Sequence, residues 1–312
     1  MKKLVASFVS IVILLTLSMP VYAVSFSAAS NDQVLLNFGY LPEIVATMDN
    51  SAKSDLADAI RSDPDSVQLS QSVYSFDETS TIRTLVTSTN DQLLKKGYTE
   101  AEISLIRKTL DELSSSTDEQ LRAKYNRSEL DVRSLRIALD PNLPMPRSIS
   151  PSTLSYSSTS YAISIGQPVA YRTVVSFTWN SFPWIHLDDK VAIGWGGNLA
   201  TTNPSSSGTY LNTDTGAYQY YSAAHSENPI NAGYTFTYAR QRGDKILKSG
   251  TVQLDLYQNV RQGIASKIIT IYGHQTVSGT IGIGITASGP NVSFSLKLGW
   301  DFSEQKSHAM TY

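Results

Sequence analysis

Cysteine is missing from all 312 positions, which removes disulfides, thiolate nucleophiles and cysteine-ligated metals together. Histidine is nearly missing. His186, His225, His274 and His308 are the four in the chain, so any imidazole chemistry has to draw on them. Charged residues make up 17% and the formal net charge is −2; the basic face that phosphate neutralisation needs is not there, and nucleic acid is excluded as a partner. No G-x-S-x-G elbow occurs, and no ligand spacing of a recognised metal site. The sequence therefore implies no cofactor and no metal, and stability has to come from burial.

The longest apolar run opens the chain. Lys2 and Lys3 precede "LVASFVSIVILLTLSM", and Val21–Ala23 supplies a small-x-small cleavage site. Such a run is too short to span a bilayer, which takes about 20 apolar residues. Residues 1–23 are therefore expected to be a secretory signal peptide of bacterial type, cleaved after Ala23 to leave a secreted, extracellular protein.

Beyond it the composition changes half-way. Residues 24–145 hold 12 Lys+Arg against 19 Asp+Glu, and residues 146–312 hold 11 against 8. All four Trp and 12 of the 17 Tyr lie in the second half. The expected fold class is α+β: an acidic helical region over 24–140, a Pro/Ser-rich linker over 141–160, and an antiparallel β-sandwich over 161–312. A helical domain lying permanently beside the β domain is the favoured layout, and a pro-segment released at the linker is the alternative.

In the first half, Ile103, Ile106, Leu110 and Leu113 recur at the spacing of one helix face, behind a Thr99/Glu102 capping box. Leu121, Tyr125, Leu130, Leu135 and Leu139 predict a further helix. "GYLPEIVATM" from Gly39 echoes "GYTEAEISLI" from Gly97; turn-plus-cap chemistry is favoured over a repeat. In the second half, about eight segments alternate with period two. Examples are Val175/Phe177/Trp179, Tyr234/Phe236/Tyr238 and Val252/Leu254/Leu256, the pattern of sheets with one wet face.

Four features invite a functional reading. "FPWIHLDDK" gathers Trp184, His186, Asp188 and Asp189 in a loop, a grouping able to bind a ligand or exchange protons. Its plain reading is a turn anchored by tryptophan. The stripes around Tyr218 and Tyr234 suit ring stacking if exposed and core packing if buried. "RGD" at Arg242–Asp244 reads as hairpin-turn chemistry. Finally, "TIGIGITASGPNVSFSLKLGW" (280–300) pairs two alternating strands across a tight turn, with the length and alternation of a membrane-inserting hairpin over 277–302. Core strands are favoured, because every neighbouring strand has the same period.

The expected function is a non-catalytic extracellular or cell-surface binding protein, with Trp184, His186, Asp188, Asp189, Tyr218 and Tyr234 as candidate ligand-binding residues. Its expected partners are a cell-wall or extracellular polymer, or a surface protein. A pore-forming or membrane-active toxin is the alternative, and an extracellular hydrolase using the His186 loop comes third.

Overall fold

The computed structural model describes residues 29–76, 78–144, 151–185, 187–197, 199–227, 232–275, 283–296 and 300–312. His186, Ile281 and residues 145–150 of the predicted linker lie outside them, while residues 152–160 of that linker are strand. The architecture is an N-terminal helical region followed by a C-terminal antiparallel β-sandwich.

Among the described residues, eight α-helices form the first region: α1 (Asn31–Phe38), α2 (Pro42–Thr47), α3 (Asn50–Ser62), α4 (Thr79–Thr87), α5 (Asn90–Lys95), α6 (Glu100–Ser115), α7 (Asp118–Tyr125) and α8 (Glu129–Leu139). Their starts are chemically marked. Thr89, Thr99, Thr117 and Ser128 each close a reciprocal capping box with the residue three positions on, satisfying amides that have no partner inside the helix. The predicted face of α6 is buried through Ile103, Ile106, Leu110 and Leu113. What reads as one helix after residue 117 is two, because Asn126 adopts a left-handed conformation at φ 52° and ends α7. Leu130, one of the residues that suggested a single helix, is exposed.

The Gly-Tyr echo has a local cause. Gly39 (φ 109°) follows α1 and Gly97 (φ 95°) follows α5, and only glycine takes that conformation without strain. After each, the tyrosine amide reaches back into the preceding helix, Tyr40 to the Leu35 carbonyl at 3.0 Å and Tyr98 to that of Leu93 at 3.1 Å. Both are helix C-caps closed by a buried tyrosine.

One strand of the helical region escapes the sequence reading. β1 (Gln68–Phe76) pairs antiparallel along its whole length with β2 (Ser152–Ala162). The first sheet continues through β3 (Val169–Ser181), β10 (Lys245–Gln258), β5 (Ala200–Asn212) and β6 (Tyr218–Tyr221), with β9 (Gln241–Arg242) on β10. The second runs β14 (Trp300–Phe302), β11 (Ala265–Gln275), β4 (Asp189–Trp195), β8 (Gly233–Tyr238) and β7 (Ala224–Glu227), with β15 (Lys306–Thr311) on β11. Alternation sorts the faces. Tyr156, Phe177, Trp179, Val252 and Leu254 of the first sheet meet Ile193, Trp195, Phe236 and Tyr272 of the second in one buried core.

The outer face of the first sheet is rich in hydroxyls, and α1–α3 dock there. Tyr40 hydrogen-bonds Thr159, Ser155 donates to Glu43 at 2.6 Å, and Arg172 forks onto both oxygens of Asp255 while reaching Asp55 of α3 at 2.6 Å. Val34, Leu35, Ile44, Leu56 and Ile60 bury their side chains together with Tyr161 and Val174 of the sheet.

The described residues of the 280–300 stretch do not form a core pair of the sandwich. β12 (Ile283–Ser288) and β13 (Asn291–Leu296) make a two-stranded layer of their own, whereas Trp300–Phe302 pairs with β11 in the second sheet. Ile283, Ile285 and Val292 are buried on the outer face of that sheet, against Ala192, Ile269 and Ile271. Glycines make room for them. A Cβ on Gly194 would stand 3.0 Å from a Val292 methyl, and one on Gly233 would run into Ile285. The turn is hooked in place by its carbonyls, with Gly197 N–H donating to Gly289 at 2.6 Å and the Ser266 hydroxyl to Pro290 at 2.7 Å.

Candidate functional site

The 182–190 loop turns inward. Phe182, Trp184, Ile185 and Leu187 are all buried, wedged between the helices and the sandwich. Glu78, just ahead of α4, holds the loop by accepting from the Trp184 and Ile185 amides at 2.9 and 3.0 Å and from the Ser152 hydroxyl at 2.7 Å. Tyr125 packs its ring 4.8 Å from that of Trp184, and the Arg127 guanidinium lies 4.9 Å over the same indole. Trp184 is thus an anchor between two regions of the chain.

Asp189 begins β4 at zero exposure. Its carboxylate takes His274 Nδ1 at 2.8 Å and the Trp179 indole N–H at 3.0 Å, with Arg240 at 3.9 Å. Burial alone would push this carboxyl up. The His274 contact, then Arg240 and Trp179, outweigh burial and hold it below the ordinary aspartate value. The Asp–His pair has the look of half a catalytic triad, but His274 is itself fully buried and sits against the rings of Phe76 and Trp179 at 5.7 and 5.3 Å. Neither side chain of the pair is exposed to solvent. Asp188, next door, is half-buried; burial first, then Asp189 and Glu102, push its carboxyl up to about 6. Among the described residues no group of three or more His, Asp or Glu is placed to hold a metal ion.

The tyrosine stripes separate cleanly. Tyr234 shares the inward face of β8 with Phe236 and Tyr238; it is half-buried and its ring stacks 6.3 Å from Trp195. Tyr218 is 54% exposed and Tyr220 72%. Both point outward from β6, an edge strand, where residues two apart share a face. Tyr220 pairs with Thr209 across β5 and Tyr218 with Leu211, whereas Tyr221 turns in to meet Tyr210 edge-on at 5.2 Å.

The two exposed rings wall a cleft of about 550 Å³ between β5–β6 and the corner joining α2 to α3. Opposite them stand Thr47, Asp49, Asn50 and Lys53, with Ser207 and Thr209 along the floor. A trough of about 250 Å³ continues from it past Ser205, Thr251 and Gln253, sharing Asp49 and Ser207. The charges here are already engaged. Lys53 bridges to Asp32 at 2.8 Å, Asp49 caps α3 through the Ser51 and Ala52 amides, and Lys248 donates to the Trp179 carbonyl.

Of the candidates named from sequence, Tyr218 lines this cleft. Trp184, Asp188, Asp189 and Tyr234 do not, and His186 lies outside the described residues. Tyr220, Ser207, Thr209 and Asn50 went unselected. The period of "YQYY" marks Tyr218 and Tyr220 as one face, but only the position of β6 at a sheet edge shows that this face is open. Arg242–Asp244 forms the expected turn, with Gly243 at φ 63°; Arg242 lies over the Tyr210 and Tyr221 rings at 5.4 and 4.9 Å.

No protein-family model matches this chain, and no curated protein matches it. Among solved structures it is similar to one described under pH-induced modulation of Streptococcus parasanguinis adhesion by Fap1 fimbriae, at 9% identity over 50% of this chain and 79% of that one, with a TM-score of 0.25. It is also similar to BspA_C_mut, at 6% identity over 78% of each chain and a TM-score of 0.28. A third is AvmM, described as catalysing macrocyclisation in alchivemycin A biosynthesis, at 12% identity over 49% and 88% and a TM-score of 0.20. Likenesses this slight carry no weight for function.

Proposed function

We propose that this chain is an exported, non-catalytic binding protein that engages a cell-wall or extracellular polymer through the Tyr218/Tyr220 cleft. The observation that carries this reading is the pair of outward tyrosines facing a polar wall. Exposed rings that stand together beside a concavity form the kind of surface on which binding energy concentrates. The Asp189–His274 pair is walled off by aromatic rings, which favours binding over hydrolysis. The hairpin reading of a toxin draws less support, since Ile283, Ile285 and Val292 are buried against the second sheet.

Co-sedimentation of the mature chain with purified bacterial cell walls tests the proposal. Wild-type protein should pellet with the walls, and the Tyr218→Ala/Tyr220→Ala double variant should bind about tenfold more weakly with an unchanged circular dichroism spectrum. Absence of wild-type binding, or binding that the double variant retains in full, would remove the reading.

A further inference from the structure

The chemistry of the cleft narrows what it accepts. Resting on the cleft being the binding site, we infer that its ligand is an extended, uncharged glycan. Sugar rings lie on Tyr218 and Tyr220, and hydroxyls meet the Ser205–Ser207–Thr209 row.

Three observations converge. The first is the stacking surface: two tyrosines at i and i+2 place their rings about 7 Å apart along a strand, presenting successive faces to a repeating chain. The second is the floor. Ser205, Ser207 and Thr209 follow the same two-residue period on β5, a row of groups that both donate and accept over about 14 Å. The main cleft and the trough share Ser207 of this row, so together they accommodate a chain longer than a single sugar. The third is charge. Lys53 is bridged to Asp32, Asp49 is engaged by helix amides, and Lys248 bonds a backbone carbonyl. Lys53 and Lys248 are offset by Asp49 and by the Asp32 bridged to Lys53, so the lining holds no net positive charge to draw a polyanion. An apolar ligand would strip water from the hydroxyl row and return no hydrogen bonds, which costs free energy. A neutral polyhydroxylated chain satisfies the rings and the row together.

Affinity electrophoresis of the mature chain, in native gels containing mannan, amylopectin, β-glucan or xyloglucan, tests this, with alginate and heparin as charged counterparts. At least one neutral polymer should retard the protein, and raising NaCl to about 0.5 M, where screening leaves only a few ångström of reach, should not release it. Tyr220→Ala should weaken retention about tenfold and Tyr220→Phe by less than about threefold, since the ring is what stacks. Retention by alginate or heparin alone, or retention abolished by salt, overturns the inference.

Treated cell walls separate its failure from that of the binding reading. Tyr220-dependent wall binding lost after periodate oxidation of the glycans supports the inference. Tyr220-dependent binding that survives periodate and disappears after protease treatment identifies a protein partner; it overturns the glycan and leaves the cleft standing. Wall binding indifferent to Tyr220 removes the cleft itself.

Discussion

Two groups of aromatic rings in this protein have the same sequence signature and opposite fates. Phe177 and Trp179 on β3, with Tyr272 on β11, alternate with smaller residues and close into the core between the sheets, at centroid separations of 5.0 to 6.2 Å. Tyr218 and Tyr220 alternate in the same way on β6 and stand in solvent. Position in the sheet makes the difference. The core rings lie on the inner face, covered by the opposing sheet, whereas Tyr218 and Tyr220 lie on the outer face of an edge strand that α2 and α3 meet only across the cleft. Alternation says which residues share a face; topology says whether that face is wet. Core and ledge should therefore respond oppositely to mutation, the core through stability and the ledge through binding.

The largest effect belongs to the polar centre of the core. Asp189→Ala leaves Arg240 and His274 buried without their carboxylate, and should cost about 3–5 kcal/mol of unfolding free energy in urea titrations. A loss under about 1 kcal/mol would mean that the network contributes little.

Next is Asp188, whose carboxyl is pushed up to about 6 by burial and by Asp189 and Glu102. A folded-state value above the unfolded one means that the neutral form is favoured by folding. The associated stability is complete below about pH 4 and lost as pH rises through 6. Asp188→Asn should therefore stabilise the protein at pH 8, by no more than about 3 kcal/mol before solvent screening reduces it. The gain should vanish near pH 4, where the wild-type carboxyl is protonated. Melting temperatures of the two proteins across pH 4–8 check this, and a gain that is flat with pH would refute it.

Gly233→Ala ranks third. The new methyl meets Ile285 beneath the β12–β13 layer, and overpacking of this kind costs about 1–3 kcal/mol. Amide exchange should rise first in residues 283–296. Exchange unchanged there would show that the layer adjusts freely.

Smallest in stability is Tyr220→Ala, expected within about 0.5 kcal/mol of wild type, as suits a ring that touches little. A loss of several kcal/mol would place Tyr220 with the core and dissolve the contrast.

The helical and strand halves were legible because hydrophobic period and capping chemistry are local. The Thr99/Glu102 box and the buried face of α6 follow from residues within one turn of each other. β1 was not legible: "QLSQSVYSF" is half polar, and its strand conformation comes from pairing with β2 some eighty positions later. The third layer was hidden for the same reason. Alternation places Ile283, Ile285 and Val292 on one face, but the glycine-lined sheet that receives them is assembled from β4, β8 and β11. In the 182–190 loop, residue types alone favoured a turn anchored by tryptophan and left a ligand site as the alternative. The decision lies with Glu78, more than a hundred residues away, whose carboxylate ties the loop down.

The central claim is that binding resides on the open tyrosine ledge, apart from the core. Measuring wall affinity and thermal stability on the same preparation of Tyr218→Ala/Tyr220→Ala tests it most directly. The account predicts a melting temperature close to wild type and an affinity lower by about tenfold. Full affinity in a protein that melts normally would contradict it.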